Sequence, residues 1–175
     1  MSVQAEGGPR RLVVMRHAKA QPGGETDALR ELAQRGWDDA RDAGRWLASL
    51  GVAPGAALVS SARRTRSTWL ALAEGGSFAC DATYSDSLYS AGPETALDLV
   101  RETAEAVSVL VVVGHNPTMA YLAQLLDDGD GDQAAARQMA TGFPTGAVAV
   151  FAVPAPWSGL DLASARLVAF HVGRA

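Results

Sequence analysis

An uninterrupted run of five aliphatic residues, Val109 to Val113, is the feature of this chain that most restricts its fold. A strand made only of such residues is typical of the centre of a parallel sheet that is covered on both faces. Parallel neighbours need a crossover connection, which is usually a helix. The run therefore predicts an α/β domain in which strands and helices alternate along the chain.

The hydrophobic pattern of the rest of the chain agrees with this class. Other short apolar runs predict strands at 12–15, 56–60, 147–153 and 162–170. The segment 78–84 is ambiguous, and we interpret it as an edge strand. Helical patterns occur at 36–50, 62–73, 93–106 and 117–126, with Ser61 as a candidate N-cap and Pro93 at a first helical position. We therefore expect a three-layer α/β/α sandwich with a mostly parallel sheet of about six strands.

The length of 175 residues suits a single domain, and no repeat or long linker divides the chain. We expect one domain over residues 1–175, with a flexible N-terminus at 1–10. The apolar run Leu12 to Met15 is too short for a signal peptide or a membrane span. A cytoplasmic protein without membrane contacts is therefore the expectation.

Composition excludes several classes of function. With one cysteine, Cys80, the chain has no disulfide framework and no zinc site built on paired cysteines. The net charge of −4 argues against general binding of nucleic acid or anionic membranes.

Several common binding motifs are absent as well. The aspartate-rich stretch 127–132 lacks the glutamate of a calcium loop, since Met139 stands in its place, and predicts a solvated loop. Neither a Walker A loop nor a dinucleotide-binding glycine turn is present.

Two of the three histidines follow directly on predicted strands. Arg16 and His17 end the first strand, and His115 comes directly after Gly114 at the end of the aliphatic run. Ligands of open α/β sheets bind outside the carboxyl ends of the strands, so we expect these side chains at a binding site. Arg64 falls in the first turn of a helix that follows another strand. Together with Arg16 it could clamp a phosphoryl group.

Three blocks of sequence, at residues 12–18, 59–68 and 112–117, occur in order with these histidines and arginines. Together they resemble the histidine phosphatase superfamily, and more narrowly its small SixA-type phosphohistidine phosphatase branch. Segments containing Asp27 with Arg30, Tyr89 and Phe143 are also similar to that branch. The resemblance spans nearly the whole chain and implies a phosphoglycerate mutase-like fold.

By position, the resemblance implies that His17 is the nucleophile and that Arg16 is its phosphate-binding neighbour. Arg64 matches the second arginine, and His115 matches the second histidine of the pocket. Chemistry agrees with these roles: neutral His17 can attack phosphorus, and the covalent phosphohistidine is then hydrolysed by water. Arg16, Arg64 and a protonated His115 would neutralise the equatorial oxygens, so we expect neither a metal nor a cofactor.

The sequence leaves the general acid and the substrate open. Glu94 and Asp86 are candidate acids, although each residue type is common at helix starts and turns. The main hypothesis is a metal-independent phosphatase that dephosphorylates phosphohistidine on a protein, for example of the histidine phosphotransfer type. The alternatives are a phosphatase of small phosphomonoesters, such as sugar or nucleotide phosphates, and a phosphate-binding module without turnover. His171 and Cys80 are interpreted as structural.

Overall fold

The computed structural model describes residues 8–173. Within them six strands form one sheet: β1 (Arg10–Arg16), β2 (Ala56–Ser60), β3 (Ala82–Ser85), β4 (Val109–Gly114), β5 (Val148–Val153) and β6 (Arg166–His171). The helices are α1 (Gln34–Ser49), α2 (Arg63–Gly76), α3 (Asp86–Tyr89), α4 (Pro93–Arg101), α5 (Thr118–Leu126) and α6 (Gln133–Ala140). Short 3-10 turns lie at Asp27–Leu29 and Trp157–Gly159.

The strand order is β3-β2-β4-β1-β5-β6, which places the aliphatic strand β4 and the strand β1 at the centre. The pairs β3–β2, β2–β4 and β4–β1 are parallel, whereas β5 runs antiparallel to both β1 and β6. The predicted α/β class and the mostly parallel six-stranded sheet are therefore confirmed.

Helices cover both faces of the sheet, because alternate residues of the central strands point to opposite sides. Leu12 and Val14 of β1 face a core formed with α4, α5 and α6. Val13 and Met15 face a second core formed with α1 and α2. All four side chains have no solvent exposure, so the three-layer arrangement buries β1 completely in its middle.

The helices α1 and α2 pack at backbone contact through two glycines. A Cβ atom on Gly44 would lie 2.1 Å from the carbonyl oxygen of Leu72, and one on Gly75 would lie 2.0 Å from that of Arg41. Both distances are far below any real Cβ contact. This close approach holds the C-terminal part of α2, the helix whose first turn carries Arg64, against α1.

Several predicted boundaries were wrong at the ends of elements. Ser61 is not the N-cap of α2: Ala62 occupies that position and has no side-chain oxygen to cap the helix. The Thr65 hydroxyl in the first turn lies within hydrogen-bond distance of the carbonyl oxygens of Ser60 and Ala62. The helix α4 ends at Arg101 and not near 106. Beyond it the Glu105 carboxylate accepts the backbone N–H groups that open the turn at 157–159.

The aspartate-rich stretch 127–132 is a loop, as the sequence predicts, and it leads into a helix that the sequence analysis missed. The side chains of Asp127 and Asp128 accept backbone N–H groups two residues ahead, which shapes the loop. The Asp132 carboxylate caps α6 by accepting the Ala135 N–H at 2.8 Å.

At the N-terminus, residues 1–7 of the expected flexible segment 1–10 lie outside the described residues. The strand β1 already begins at Arg10. No helix in the described part of the chain is both long and apolar enough to cross a membrane.

The backbone contact at Gly44 leads to a stability prediction. Replacing Gly44 by alanine should lower the free energy of unfolding by about 2 kcal/mol, because overpacking outweighs the better helix propensity of alanine. Urea denaturation measures this change. Gly55→Ala is the matched control, because its added Cβ would meet nothing closer than 3.8 Å, and its effect should stay within about 0.5 kcal/mol. A Gly44→Ala protein as stable as the wild type would contradict the close packing.

Candidate active site

The pairing of β1 with β4 brings the two strand-end histidines together. Arg16 is in register with Gly114, so the next residues, His17 and His115, leave the sheet side by side. The His17 backbone N–H continues the ladder by donating to the Gly114 carbonyl oxygen at 2.9 Å. The two imidazole ring centroids are 5.5 Å apart. The sheet edge therefore holds both rings at one site, as the sequence predicts.

Arg64 joins this site from the first turn of α2. Its side chain is 7% exposed, and one guanidinium nitrogen, Nη2, donates to Asp27 Oδ2 at 3.0 Å. The same nitrogen lies 3.2 Å from His115 Nδ1. The other, Nη1, donates to the Asp27 carbonyl oxygen at 2.8 Å. The guanidinium is thus fixed on two sides next to the second histidine.

All four residues singled out in the sequence line a single cavity of about 370 Å³. Its wall consists of Arg16, His17, Lys19, Ala20, Arg30, Arg64, His115, Asn116 and Thr145. Four of these side chains are cationic and no carboxylate is among them. The local charge is therefore strongly positive although the chain carries a net charge of −4. Such a cavity favours an anionic ligand.

Two buried N–H groups of the cavity residues have no hydrogen-bond partner. They are the Nε–H groups of Arg16 and Arg64, two of four such orphaned atoms in the described part of the chain. A buried donor without an acceptor costs about 1 to 3 kcal/mol. Burial also lowers the pKa of Arg16 below its usual value. An oxyanion in the cavity would supply negative charge beside both guanidinium groups.

The hydrogen bonding of His17 decides which ring nitrogen is free. Its Nδ1 lies 2.8 Å from the Ala18 carbonyl oxygen, which can only accept, so Nδ1 carries the proton. The lone pair is then on Nε2. Burial, followed by the charges of Arg64 and Arg16, lowers the pKa of His17 to about 4. His17 is therefore a neutral imidazole at pH 7 with a lone pair available for attack.

His115 is also neutral in the ligand-free protein, and its protonation beside a bound phosphoryl group stays a prediction. Burial and then the charge of Arg64 lower its pKa to about 4. Its Nδ1 accepts from Arg64, and its Nε2 donates to the Ser60 hydroxyl, 2.6 Å away. A second cation beside a guanidinium would be unfavourable until an anion enters the cavity.

Asp27 and Tyr89 complete the surroundings of Arg64 and were not among the predicted site residues. The Tyr89 hydroxyl donates to Asp27 Oδ2 at 2.5 Å, and this bond together with Arg64 holds the Asp27 pKa at about 2. The edge of the Tyr89 ring also contacts the His115 ring, with centroids 5.4 Å apart. Both residues lie in segments that carry the family resemblance, which is the one signal that could have found them.

The two candidate general acids do not belong to this cavity. Asp86 is exposed in the first turn of α3, and Glu94 is exposed in the first turn of α4. Neither lines the cavity wall. Both positions agree with the structural interpretation, in which acidic side chains favour helix N-termini.

The remaining histidine and the cysteine lie elsewhere. His171 stacks on the Trp46 ring, with centroids 4.8 Å apart, and its Nε2 is 3.5 Å from Asp42 Oδ2. Cys80 is half-buried against the core beside α1 and α2. Within residues 8–173, no cluster of three or more His, Cys, Asp or Glu side chains is arranged to hold a metal ion.

Comparison with known proteins gives close relatives and a consistent fold. The chain is 41% identical over 162 residues to an uncharacterized protein of Mycobacterium tuberculosis, covering 91% of this chain and all of the relative. A candidate phosphohistidine phosphatase SixA from Nakamurella multipartitia has a TM-score of 0.85 and 31% identity, covering 97% of this chain and 99% of that one.

A second structure, a candidate phosphohistidine phosphatase SixA from Agrobacterium tumefaciens, has a TM-score of 0.77. It is 30% identical and covers 94% of this chain and 99% of its own. No family model matches the chain. The solved structures therefore carry the assignment, and they agree with the order of strands and helices described above.

The buried, cation-lined setting of the two histidines leads to a titration experiment. In ligand-free protein, NMR resonances of His17 and His115 should show no protonation between about pH 8 and about pH 5, because both pKa values lie near 4. Inorganic phosphate should move both midpoints upward, since an anion favours the protonated ring. His17→Asn and His115→Asn assign the signals. A His17 midpoint above about pH 6 without phosphate would contradict the geometry.

Proposed function

The chain belongs to the SixA branch of the histidine phosphatase superfamily, and we propose that it is a metal-independent phosphatase that removes the phosphoryl group from phosphohistidine on a protein. Phosphatase activity is the general property that its relatives support. The nucleophile, the substrate and the independence of metal are inferred from the residues of the cavity.

One observation carries the proposal: a neutral imidazole with a free Nε2 shares a cavity with the side chains of Arg16 and Arg64. The guanidinium groups of both arginines could hold tetrahedral phosphoryl oxygens at the same time. A phosphorus atom held there would lie beside the lone pair of His17. Binding and nucleophilic attack therefore use the same small set of groups.

In the first step, the lone pair of His17 Nε2 forms an N–P bond while the bond from phosphorus to the leaving nitrogen breaks. The electron pair of the broken bond stays on the leaving nitrogen, so a phosphohistidine that enters protonated on its other ring nitrogen leaves as a neutral imidazole. The Nδ1–H of His17 keeps its bond to the Ala18 carbonyl oxygen, which stabilises the positive charge that develops on the ring. Arg16 and Arg64 bind the equatorial oxygens.

In the second step, water attacks the phosphorus of phospho-His17 and the N–P bond breaks. The electron pair returns to Nε2, a proton of the attacking water passes to solvent, and inorganic phosphate leaves. The bound phosphoryl group raises the pKa of His115 by its negative charge, so the protonated His115 of the sequence-based mechanism belongs to the ligand-bound enzyme.

A leaving imidazole fits a cavity that has no carboxylate in its wall. Leaving groups that depart easily need little help from a general acid, whereas an alcohol leaving group needs more. This chemistry favours a phosphorus–nitrogen bond over the ester bond of a sugar phosphate. The exposed segment 21–27 beside the cavity includes no helix long enough to cover it. A protein side chain could therefore reach His17.

Independence of metal rests on the same charges. Arg16, Arg30 and Arg64 place three positive charges at the cavity, of which the Asp27 carboxylate beside Arg30 and Arg64 offsets one. The remaining positive charge can provide the neutralisation that Mg²⁺ provides in other phosphoryl-transfer enzymes. Hydrolysis should therefore proceed at an unchanged rate in the presence of a chelator.

Trapping of the covalent intermediate tests the nucleophile. Wild-type protein mixed with radiolabelled phenyl phosphate and denatured in base should carry label that is stable in base and labile in acid. His17→Asn should carry no label and lose about a thousandfold or more in kcat/KM, because the group that forms the bond is gone. The control is His171→Asn, which removes a histidine outside the cavity and should label like the wild type. Equal labelling of the His17→Asn protein would refute the assignment.

The absence of a carboxylate from the cavity wall leads to a second test. Asp86→Asn and Glu94→Gln should each keep kcat/KM for a phosphohistidine peptide within about twofold, because neither side chain reaches the cavity. Loss of a general acid instead costs about 100- to 10,000-fold. A drop of that size in either variant, with unchanged stability, would show that a carboxylate does protonate the leaving group.

A further inference from the structure

A second cavity of about 260 Å³ adjoins the catalytic one. The two cavities share Lys19 and Thr145 in their walls. The other residues of the second wall are Arg35, Asp39, Pro144, Val172 and Gly173. A group that a substrate carries close to a phosphoryl group in the first cavity would therefore lie near Lys19 and Thr145.

The backbone of Lys19 is held firmly at this junction. Its carbonyl oxygen accepts the Ala33 N–H at 2.9 Å, and a Cβ on Gly36 would lie only 2.2 Å from that oxygen. The preceding residue, Ala18, donates its N–H to the Thr68 hydroxyl at 3.1 Å. The start of α1 thus packs directly on the Lys19 backbone and fixes where its side chain begins.

The Lys19 side chain is exposed and has no hydrogen bond or ion pair with any residue of the described chain. Many other cationic side chains do have carboxylate partners: Arg30 pairs with Asp27, Arg63 with Glu31, and Arg64 with Asp27. Lys19 is also the single lysine of the sequence. An uncompensated charge at the junction of two cavities is suited to bind a ligand group.

The charge of the second cavity indicates what kind of group this is. Arg35 Nε and Asp39 Oδ2 are 3.6 Å apart, so their charges largely offset each other. Lys19 then leaves an excess of one positive charge. A single carboxylate matches this excess, whereas a second phosphate dianion would exceed it and would face Asp39 as well.

We propose that Lys19 determines substrate specificity by binding a carboxylate that the substrate carries close to its phosphoryl group. This inference rests on the proposed phosphatase function of the adjoining cavity. The carboxylate can be an acidic side chain next to phosphohistidine, or it can belong to a small phosphorylated acid. A flexible ammonium group recognises charge more than geometry, so an arginine at this position should serve as well.

Two pairs of substrates test the proposal, each with and without the carboxylate. One pair is a phosphohistidine peptide with a flanking glutamate and the same peptide with glutamine. The other is 4-carboxyphenyl phosphate and 4-carbamoylphenyl phosphate. The preference is the ratio of kcat/KM for the carboxylated substrate to kcat/KM for its uncharged partner. Within at least one pair, we expect Lys19→Met to reduce this ratio by about fivefold, which corresponds to the interaction energy of one partly exposed charge pair.

The change should appear mainly in KM, because the carboxylate does not take part in bond breaking. Lys19→Arg should keep the wild-type preference. The matched control is Arg45→Met, which removes one exposed positive charge. Arg45 lies roughly 13 Å along α1 from Gly36, the helix residue that packs on the Lys19 backbone, at about 1.5 Å per residue, so this variant should keep the wild-type preference. An effect confined to the peptides identifies a protein substrate, and one confined to the aryl esters identifies a small acid.

A Lys19→Met protein with the wild-type preference in both pairs would overturn the proposal. If no substrate is turned over, the proposed function fails, but the inference about Lys19 can still be tested by binding. Calorimetry with 3-phosphonopropionate and propylphosphonate should show tighter binding of the carboxylated probe by wild type and loss of that difference in Lys19→Met. Equal discrimination by both proteins would refute it.

Discussion

The parallel pairing of β1 with β4 is the constraint on which the site depends. Its register places Arg16 opposite Gly114, so the next residue of each strand is a histidine at the same edge of the sheet. Both strands are buried in the middle of a three-layer fold, and a shift in register would move every core residue as well. The burial of apolar side chains that stabilises this register therefore also sets the distance between His17 and His115.

Burial and positive charge then determine the chemistry of these two rings. Removing them from water beside Arg16 and Arg64 favours the neutral imidazole, and the bond to the Ala18 carbonyl oxygen leaves the lone pair on Nε2 of His17. The same burial leaves the Nε–H groups of both arginines without acceptors. The positive charge of the cavity and the unprotonated ring of His17 therefore have one cause, and the proposed phosphoryl ligand suits both.

The sequence predicts the four residues that the structure brings to one cavity, because their positions follow from strand ends. His17, Arg16 and His115 follow buried runs, and Arg64 lies in the first turn after another strand, even though its predicted cap, Ser61, was wrong. The partners of Arg64 could not be derived in this way. Asp27 is 37 residues from Arg64 and 62 from Tyr89, and such contacts depend on how loops cross the sheet edge. The neutral state of His115 likewise depends on burial that only the fold shows.

The most direct measurement of this account is a crystal structure of the protein with orthovanadate, which resembles the transition state of phosphoryl transfer. We expect vanadium bonded to His17 Nε2, with equatorial oxygens within about 3 Å of guanidinium nitrogens of Arg16 and Arg64 and the His17 Nδ1 still bonded to the Ala18 carbonyl oxygen. Vanadate bound outside this cavity, or attached through His17 Nδ1, would contradict the central claim that a buried neutral imidazole attacks a phosphoryl group held by the two arginines.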